Sequence, residues 1–209
     1  MTSESTIRDT RILERIATDL SEIYEGVFSP ETVERYVFES YTTLSRTAKI
    51  RTYLAVLAER FATDRLRALA IAQGHIQTGV PQVLFVCVQN VGRSQIASAL
   101  LAHIAGDHVE VRSAGSLPGS EIDPSIIEVL HDRDIDLAGA FPKPLTDDVV
   151  QAADYVITMG CGDACPIYPG KRYLDWELPD PAEASPAQHN DIIDQIEDQV
   201  HELWTEIRN

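Results

Sequence analysis

Cys87-Val88-Gln89-Asn90-Val91-Gly92-Arg93-Ser94 brings a thiol, an arginine and two small polar side chains within eight residues. A loop of this length can curl so that the backbone N–H groups from Val88 to Gly92 converge on an oxyanion. A helix starting near Ser94 would add the partial positive charge of its N-terminus. Arg93 can offer two parallel hydrogen bonds to a tetrahedral anion. The same surroundings stabilise a thiolate, so Cys87 would be aimed at the central atom of that anion. Asn90 is expected to bond loop backbone, Gly92 to take a conformation that a Cβ disfavours, and Ser94 to donate to the Cys87 sulfur. A buried cysteine at a strand end is also an ordinary core residue. What argues for chemistry is the conjunction of strand, thiol, loop, arginine and helix.

Two further segments carry reactive side chains. Asp180-Pro181 can start a turn or bring a carboxyl to the loop. Cys161-Gly162-Asp163-Ala164-Cys165-Pro166 holds two thiols four positions apart, able to exchange with another thiol. Zinc is the metal alternative, but it needs about four ligands and no nearby histidine joins the pair. His75, His103, His108, His131, His189 and His201 show no ligand spacing and are expected on surfaces or helices. Trp176 and Trp204 are expected to pack.

The elements that must position these residues alternate. Val83–Val86 is a short apolar run, as in a buried parallel strand. Helices are expected over Ser94–Ile104, Pro124–Arg133, Val149–Ala153 and Gln188–Ile207, and strands over Val109–Arg112, Tyr155–Thr158 and Arg172–Leu174. This alternation implies an α/β fold, an open parallel sheet with helices on both faces that binds ligands beyond the carboxyl ends of its strands. Cys161 follows the third strand and starts from the same edge as Cys87.

Residues 1–79 read as helices only. Leu13, Ile16, Leu20 and Ile23 form one stripe, and Gly26 ends that helix. Ser29-Pro30 caps a second helix lined by Val33, Val37, Ser40 and Leu44. A third runs from about Ile50 to Ala72 with Leu54, Leu57, Phe61 and Leu69 inward. The expectation is a small all-α bundle over 1–79 joined by a linker near Gly74–Val80 to an α/β domain over 80–209.

Charge follows the same division. The 209 residues carry 17 Lys+Arg and 33 Asp+Glu; the net charge is −1 over 1–79 and −15 over 80–209. Such acidity excludes a nucleic-acid or anionic-membrane binder, and the near-neutral first unit lacks the clustered basic helix of a DNA reader. With 44% apolar residues, no membrane-length apolar run, no secretory signal pattern and three cysteines, the chain reads as a globular cytosolic protein.

The segment Cys87–Ser94 resembles the phosphate loop of low-molecular-weight protein tyrosine phosphatases and of the arsenate reductases that share their fold. Arg112-Ser113-Ala114-Gly115, Thr158-Met159-Gly160-Cys161 and Leu178-Pro179-Asp180-Pro181-Ala182 are similar to further family segments, so the resemblance spans 82–209 and leaves 1–79 as an extension. It implies that Asp180 acts as an acid toward the leaving oxygen, its proton held by burial and the neighbouring oxyanion. The family's phosphatases typically carry a second cysteine just before the loop arginine, where this chain has Gly92. They also carry an aromatic after Asp-Pro, where it has Ala182.

The resemblance therefore implies an arsenate reductase. Cys87 attacks arsenate, Cys161 attacks the Cys87 sulfur, and Cys165 resolves the disulfide for reduction by thioredoxin. Reductases that use mycothiol are similar in Gly-Cys-Gly-Asp and Cys-Pro, so the donor and the need for Cys161 and Cys165 stay open. No bound cofactor or metal is implied beyond this external thiol. The rival readings are a tyrosine phosphatase and an oxyanion- or metal-sensing module. Self-association into a homodimer is the expectation for the helical extension.

Overall fold

The molecule divides into two compact units, Met1–Gln77 and Thr78–Asn209. The computed structural model describes residues 3–48, 52–137, 139–160, 165–181, 184 and 186–209, with backbone alone at 3–7 and 186–187.

In the first unit, α1 (Ser3–Ile23), α2 (Pro30–Ser45) and α3 (Leu54–Ala72) pack pairwise. Gly26 takes φ +78 where the chain leaves α1. The Ser29 side chain accepts from the Thr32 N–H at the start of α2, and Pro30 follows it. Leu13, Ile16 and Leu20 are buried, whereas Ile23, expected inward, is 71% exposed and Tyr24 fills the core instead. The inner face of α3 also differs from expectation. Leu57 and Leu69 are half-buried, and Leu54, Ala58, Phe61, Ala62 and Leu66 face the core. Small alanines let the helices approach closely, and they displace the stripe from the larger residues that periodicity favours. The expected start of α3 at Ile50 lies outside the described residues. Arg65 is buried here, its guanidinium 4.4 Å from the Tyr36 ring centroid and within 3.4 Å of the Glu39 carboxylate.

The second unit is a four-stranded parallel sheet in the order β2-β1-β3-β4, formed by β1 (Gln82–Cys87), β2 (Glu110–Gly115), β3 (Tyr155–Met159) and β4 (Arg172–Asp175). Every residue of β1 is buried, as its unbroken apolar run requires, and β4 is the more exposed edge. Around the sheet lie α4 (Arg93–Ala105), α5 (Pro124–His131), α6 (Asp147–Ala152) and α7 (Pro186–Ile207). Ile192, Ile193, Ile196, Val200 and Leu203 of α7 join Val83, Phe85 and Ile157 in one core. Trp176 packs on Phe85, ring centroids 5.6 Å apart, and Trp204 is partly buried against the same core.

The order places β2 on one side of β1 and β3 on the other. Successive connections therefore diverge at the carboxyl ends of β1 and β3, which opens a crevice there. Cys87 pairs in register with Gly115 on one side and Met159 on the other. No described helix is long and apolar enough to cross a membrane.

Candidate active site

The loop after β1 is held by its carbonyls. Those of Cys87, Val88 and Gln89 accept from the N–H groups of Ser116, Leu117 and Gly119. In a trans peptide the following N–H points the opposite way. The N–H groups of Val88, Gln89 and Asn90 are thereby turned inward, and that of Asn90 reaches the Cys87 sulfur at 3.1 Å. This is the inward-facing amide arrangement that suits an oxyanion. The close approach depends on Gly115, where a Cβ would stand 2.8 Å from the Val88 carbonyl oxygen. A Cβ at Gly119 would stand 2.7 Å from a Val91 methyl.

Asn90 organises the interior of the loop. It takes φ +53, and its side chain is fully buried. Its Oδ1 accepts from the Lys143 N–H at 2.8 Å and from Gln95 Nε2 at 3.0 Å. A backbone N–H can only donate, so this contact fixes which way the amide faces. Asn90 Nδ2 then donates to Ser94 Oγ at 2.8 Å. The Ser94 oxygen lies 3.0 Å from the Cys87 sulfur, and toward a thiolate, which can only accept, its hydroxyl donates. A thiolate at Cys87 thus has two donors, one backbone and one hydroxyl.

This refines the expectations for the loop. The left-handed residue is Asn90, a residue type that tolerates such a backbone. Gly92 has φ −136. A Cβ on Gly92 would lie 3.4 Å from the Pro181 ring and 3.5 Å from Ile126, so this position lies beneath the Asp-Pro turn. Asn90 also reaches beyond the loop, to Lys143.

Arg93 begins α4 and is largely buried. Its Nη2 donates to Asp180 Oδ2 at 2.8 Å and its Nη1 to the Leu178 carbonyl at 3.3 Å. The fork expected to hold an anion is therefore engaged with the Asp-Pro turn. Space for it comes from Gly160, at φ +71, where a Cβ would stand 2.9 Å from Nη1. The expected burial of Asp180 is not found, because its side chain is 38% exposed. It reaches the loop through Arg93, at the rim of the crevice.

Cys161 lies outside the described residues. The preceding Met159 lies beside Cys87 in the sheet, on a strand about 4.8 Å away. Cys165 is buried. The segment after it is tied to β4 by Tyr173, whose hydroxyl donates to the Pro166 carbonyl at 3.1 Å and accepts from the Tyr168 N–H at 2.8 Å. Among the described residues, no cluster of three His, Cys, Asp or Glu is arranged to hold a metal ion.

Three contributors were not foreseen from residue type or spacing. Gln95 is buried and donates to the Asn90 carbonyl, the Asn90 side chain and the Phe141 carbonyl, each within 3.1 Å. Its polar side chain so near a helix start within an apolar segment was the available cue. Lys143 contributes its backbone N–H. His189, grouped with histidines expected at surfaces or on helices, is on α7 but only 4% exposed.

The second unit coincides with a family. Residues 82–209 match the family model "Low molecular weight phosphotyrosine protein phosphatase", and residues 13–70 match "Protein-tyrosine-phosphatase-like, N-terminal domain". A thioredoxin-dependent arsenate reductase of Corynebacterium glutamicum is 60% identical in sequence. It superposes with a TM-score of 0.87 over 95% of this chain and 97% of its own. A putative arsenate reductase of Halobacterium salinarum is 32% identical over 58% of this chain and 89% of its own length. An arsenate reductase of Oceanobacillus iheyensis is 31% identical over 56% and 88%. With a thiol-bearing loop of this geometry and a family match over the whole α/β unit, the chain belongs to the low molecular weight phosphotyrosine protein phosphatase family.

Proposed function

We propose that the chain is an arsenate reductase with Cys87 as nucleophile, carried by residues 80–209. The observation that carries this reading is the Cys87 sulfur, held by the Ser94 hydroxyl and the Asn90 amide inside a loop of inward-facing N–H groups. The similar proteins named as arsenate reductases support the choice of substrate.

Arsenate binds to the amides of Val88, Gln89, Asn90, Val91 and Gly92 and to Arg93, which exchanges its Asp180 contact for the anion. The Cys87 thiolate attacks arsenic(V). One oxygen departs as water, taking a proton that Asp180, open to solvent at the rim, acquires once Arg93 has turned to the anion, and a sulfur–arsenic bond remains. The Cys161 thiolate then attacks the Cys87 sulfur. The sulfur–arsenic bond breaks, its electron pair stays on arsenic, and arsenite leaves as Cys87 and Cys161 form a disulfide. The Cys165 thiolate attacks the Cys161 sulfur and frees Cys87. An external dithiol of the thioredoxin type reduces the Cys161–Cys165 disulfide, which makes a reducing, cytoplasmic compartment the natural setting. The register of Cys87 with Met159 supports this relay, since both thiol-bearing segments start from one edge. The thioredoxin-dependent relative favours that donor over mycothiol. The exposed Ile23, Tyr53 and Val56 of the helical unit support a role in self-association.

The test supplies arsenate, NADPH, thioredoxin and thioredoxin reductase, and follows NADPH loss. Parallel arms replace thioredoxin with a mycothiol system and arsenate with an aryl phosphate. Arsenate-dependent NADPH loss that vanishes in Cys87→Ser is expected. Hydrolysis of the aryl phosphate with no arsenate turnover would overturn the reading. Loss of the thioredoxin-coupled activity in both Cys161→Ser and Cys165→Ser would support the relay, and full activity without them would refute it. Light scattering on the full chain tests self-association, which a monomeric mass would rule out.

A further inference from the structure

The Asp-Pro turn has a second anchor besides Arg93. The Pro181 carbonyl lies 3.0 Å from His189 Nε2 of α7. A carbonyl only accepts, so Nε2 carries the proton. On the other side of the ring, Nδ1 lies 3.1 Å from Ser125 Oγ. Ser125 lies in the first turn of α5, where its N–H donates to Asp123 Oδ1 at 2.9 Å and its hydroxyl, which has one proton to share between the two neighbours, lies 2.7 Å from the same oxygen. One buried imidazole therefore joins α7, the start of α5 and the residue after Asp180. The Pro181 ring itself would be 3.4 Å from a Cβ at Gly92 in the loop.

The two anchors behave differently once an anion arrives. Arg93 holds the turn through the Asp180 carboxylate and the Leu178 carbonyl. An oxyanion in the loop competes for those same N–H groups. The His189 bond uses no atom that the anion needs, so it persists when Arg93 turns inward.

We propose that His189 is a positioning residue for Asp180: its Nε2–H holds the Pro181 carbonyl, keeping the carboxyl over the loop after Arg93 has been given up to the anion. The inference rests on Asp180 serving as the acid. His189 touches neither arsenate nor Cys87 in this scheme, and its whole effect passes through Asp180.

The experiment measures kcat/KM for arsenate, at saturating thioredoxin, in the full-length protein and in His189→Ala, His189→Gln, Asp180→Asn and the Asp180→Asn/His189→Ala double variant. A misplacement near 1 Å costs up to about a hundredfold, so His189→Ala is expected to lose about ten- to a hundredfold. His189→Gln, whose amide nitrogen can reach the same carbonyl, recovers most of that loss. In the Asp180→Asn background, His189→Ala costs less than about twofold, because there is no acid left to position. Inhibition by phosphate, a tetrahedral anion of the kind the loop is proposed to hold, stays unchanged in His189→Ala.

Equal losses from His189→Ala in both backgrounds would overturn the proposal, as would His189→Gln failing like His189→Ala. Either result leaves the reductase reading standing, since that depends on wild-type arsenate turnover. Wild-type kcat/KM in Asp180→Asn would remove the acid, and its positioning with it. If His189→Ala does not fold, His189→Asn, too short to hold the carbonyl, and Ser125→Ala carry the cycle. Both must then lose activity with Asp180 present and none without it.

Discussion

Replacing Asn90 with Asp would reverse a hydrogen bond that bears on the nucleophile. Asp keeps the acceptor that Lys143 N–H and Gln95 Nε2 use, but it replaces the donor facing Ser94 with an oxygen. The Ser94 hydroxyl, which accepts from Asn90 Nδ2 at 2.8 Å and lies 3.0 Å from the Cys87 sulfur, would then turn its proton to the new carboxylate. The thiolate keeps the Asn90 backbone N–H at 3.1 Å and loses its second donor. A hydrogen bond to a charged group is worth about 1.5–3 kcal/mol, which disfavours the thiolate by about ten- to a hundredfold. Ser94→Ala removes the same donor without adding charge, so its effect should be the smaller of the two. The assay is alkylation of Cys87 by iodoacetamide across a pH series, in a Cys161→Ser/Cys165→Ser background so that one thiol reacts. The alkylation profile should move to higher pH in Asn90→Asp. An unchanged profile in both Asn90→Asp and Ser94→Ala would refute the orientation deduced for this chain of bonds.

Further perturbations follow from the same geometry. Gly160→Ala would force a Cβ to within 2.9 Å of Arg93 Nη1 at φ +71. Competition kinetics should show phosphate inhibition weakened about tenfold, the loss of roughly one charge-assisted bond. Gln95→Leu leaves buried carbonyls at Asn90 and Phe141 without that donor, and thermal melting should report a loss of about 1–3 kcal/mol. Asp123→Ala removes the cap of α5 and should cost about 1 kcal/mol at pH 7, or about 2–4 °C in Tm. The Ser125 hydroxyl and N–H hold the Asp123 carboxyl below its ordinary value of 3.8, with His189 adding to the effect. That stabilisation is present above 3.8 and is lost as pH falls through the lowered value. The gap between wild type and variant should therefore close when melting is repeated in progressively more acidic buffer.

Much of the framework was readable from local pattern because local forces govern it. The short, β-branched apolar run around Phe85 reads as a buried strand, and Ser29-Pro30 and Gly26 mark helix ends through the local backbone geometry that a capping hydroxyl, a proline ring and a missing Cβ favour. Where small residues decide packing, periodicity failed. Ala58 and Ala62 line the core of the helical unit while Leu57 sits half-buried, since closeness of approach was settled by the neighbouring helices. The same limit applied to Ile23, which lies at the spacing of its stripe yet points outward.

Within the site, residue type and spacing determined the reactive group, the arginine and the loop that joins them, because those eight residues are contiguous and their chemistry is intrinsic. The tertiary fold decided how they are oriented. Asn90 takes the left-handed backbone because Lys143 and Gln95, remote or one helical turn away, hold its amide. Arg93 lies against Asp180 because Gly160, at the end of a neighbouring strand, leaves room for it. His189 became a buried link only when α7 was laid beside α5 and the Asp-Pro turn. A hydrogen bond between residues 64 positions apart, as between Ser125 and His189, leaves no trace in local sequence. It exists only once the hydrophobic core has brought the two helices together.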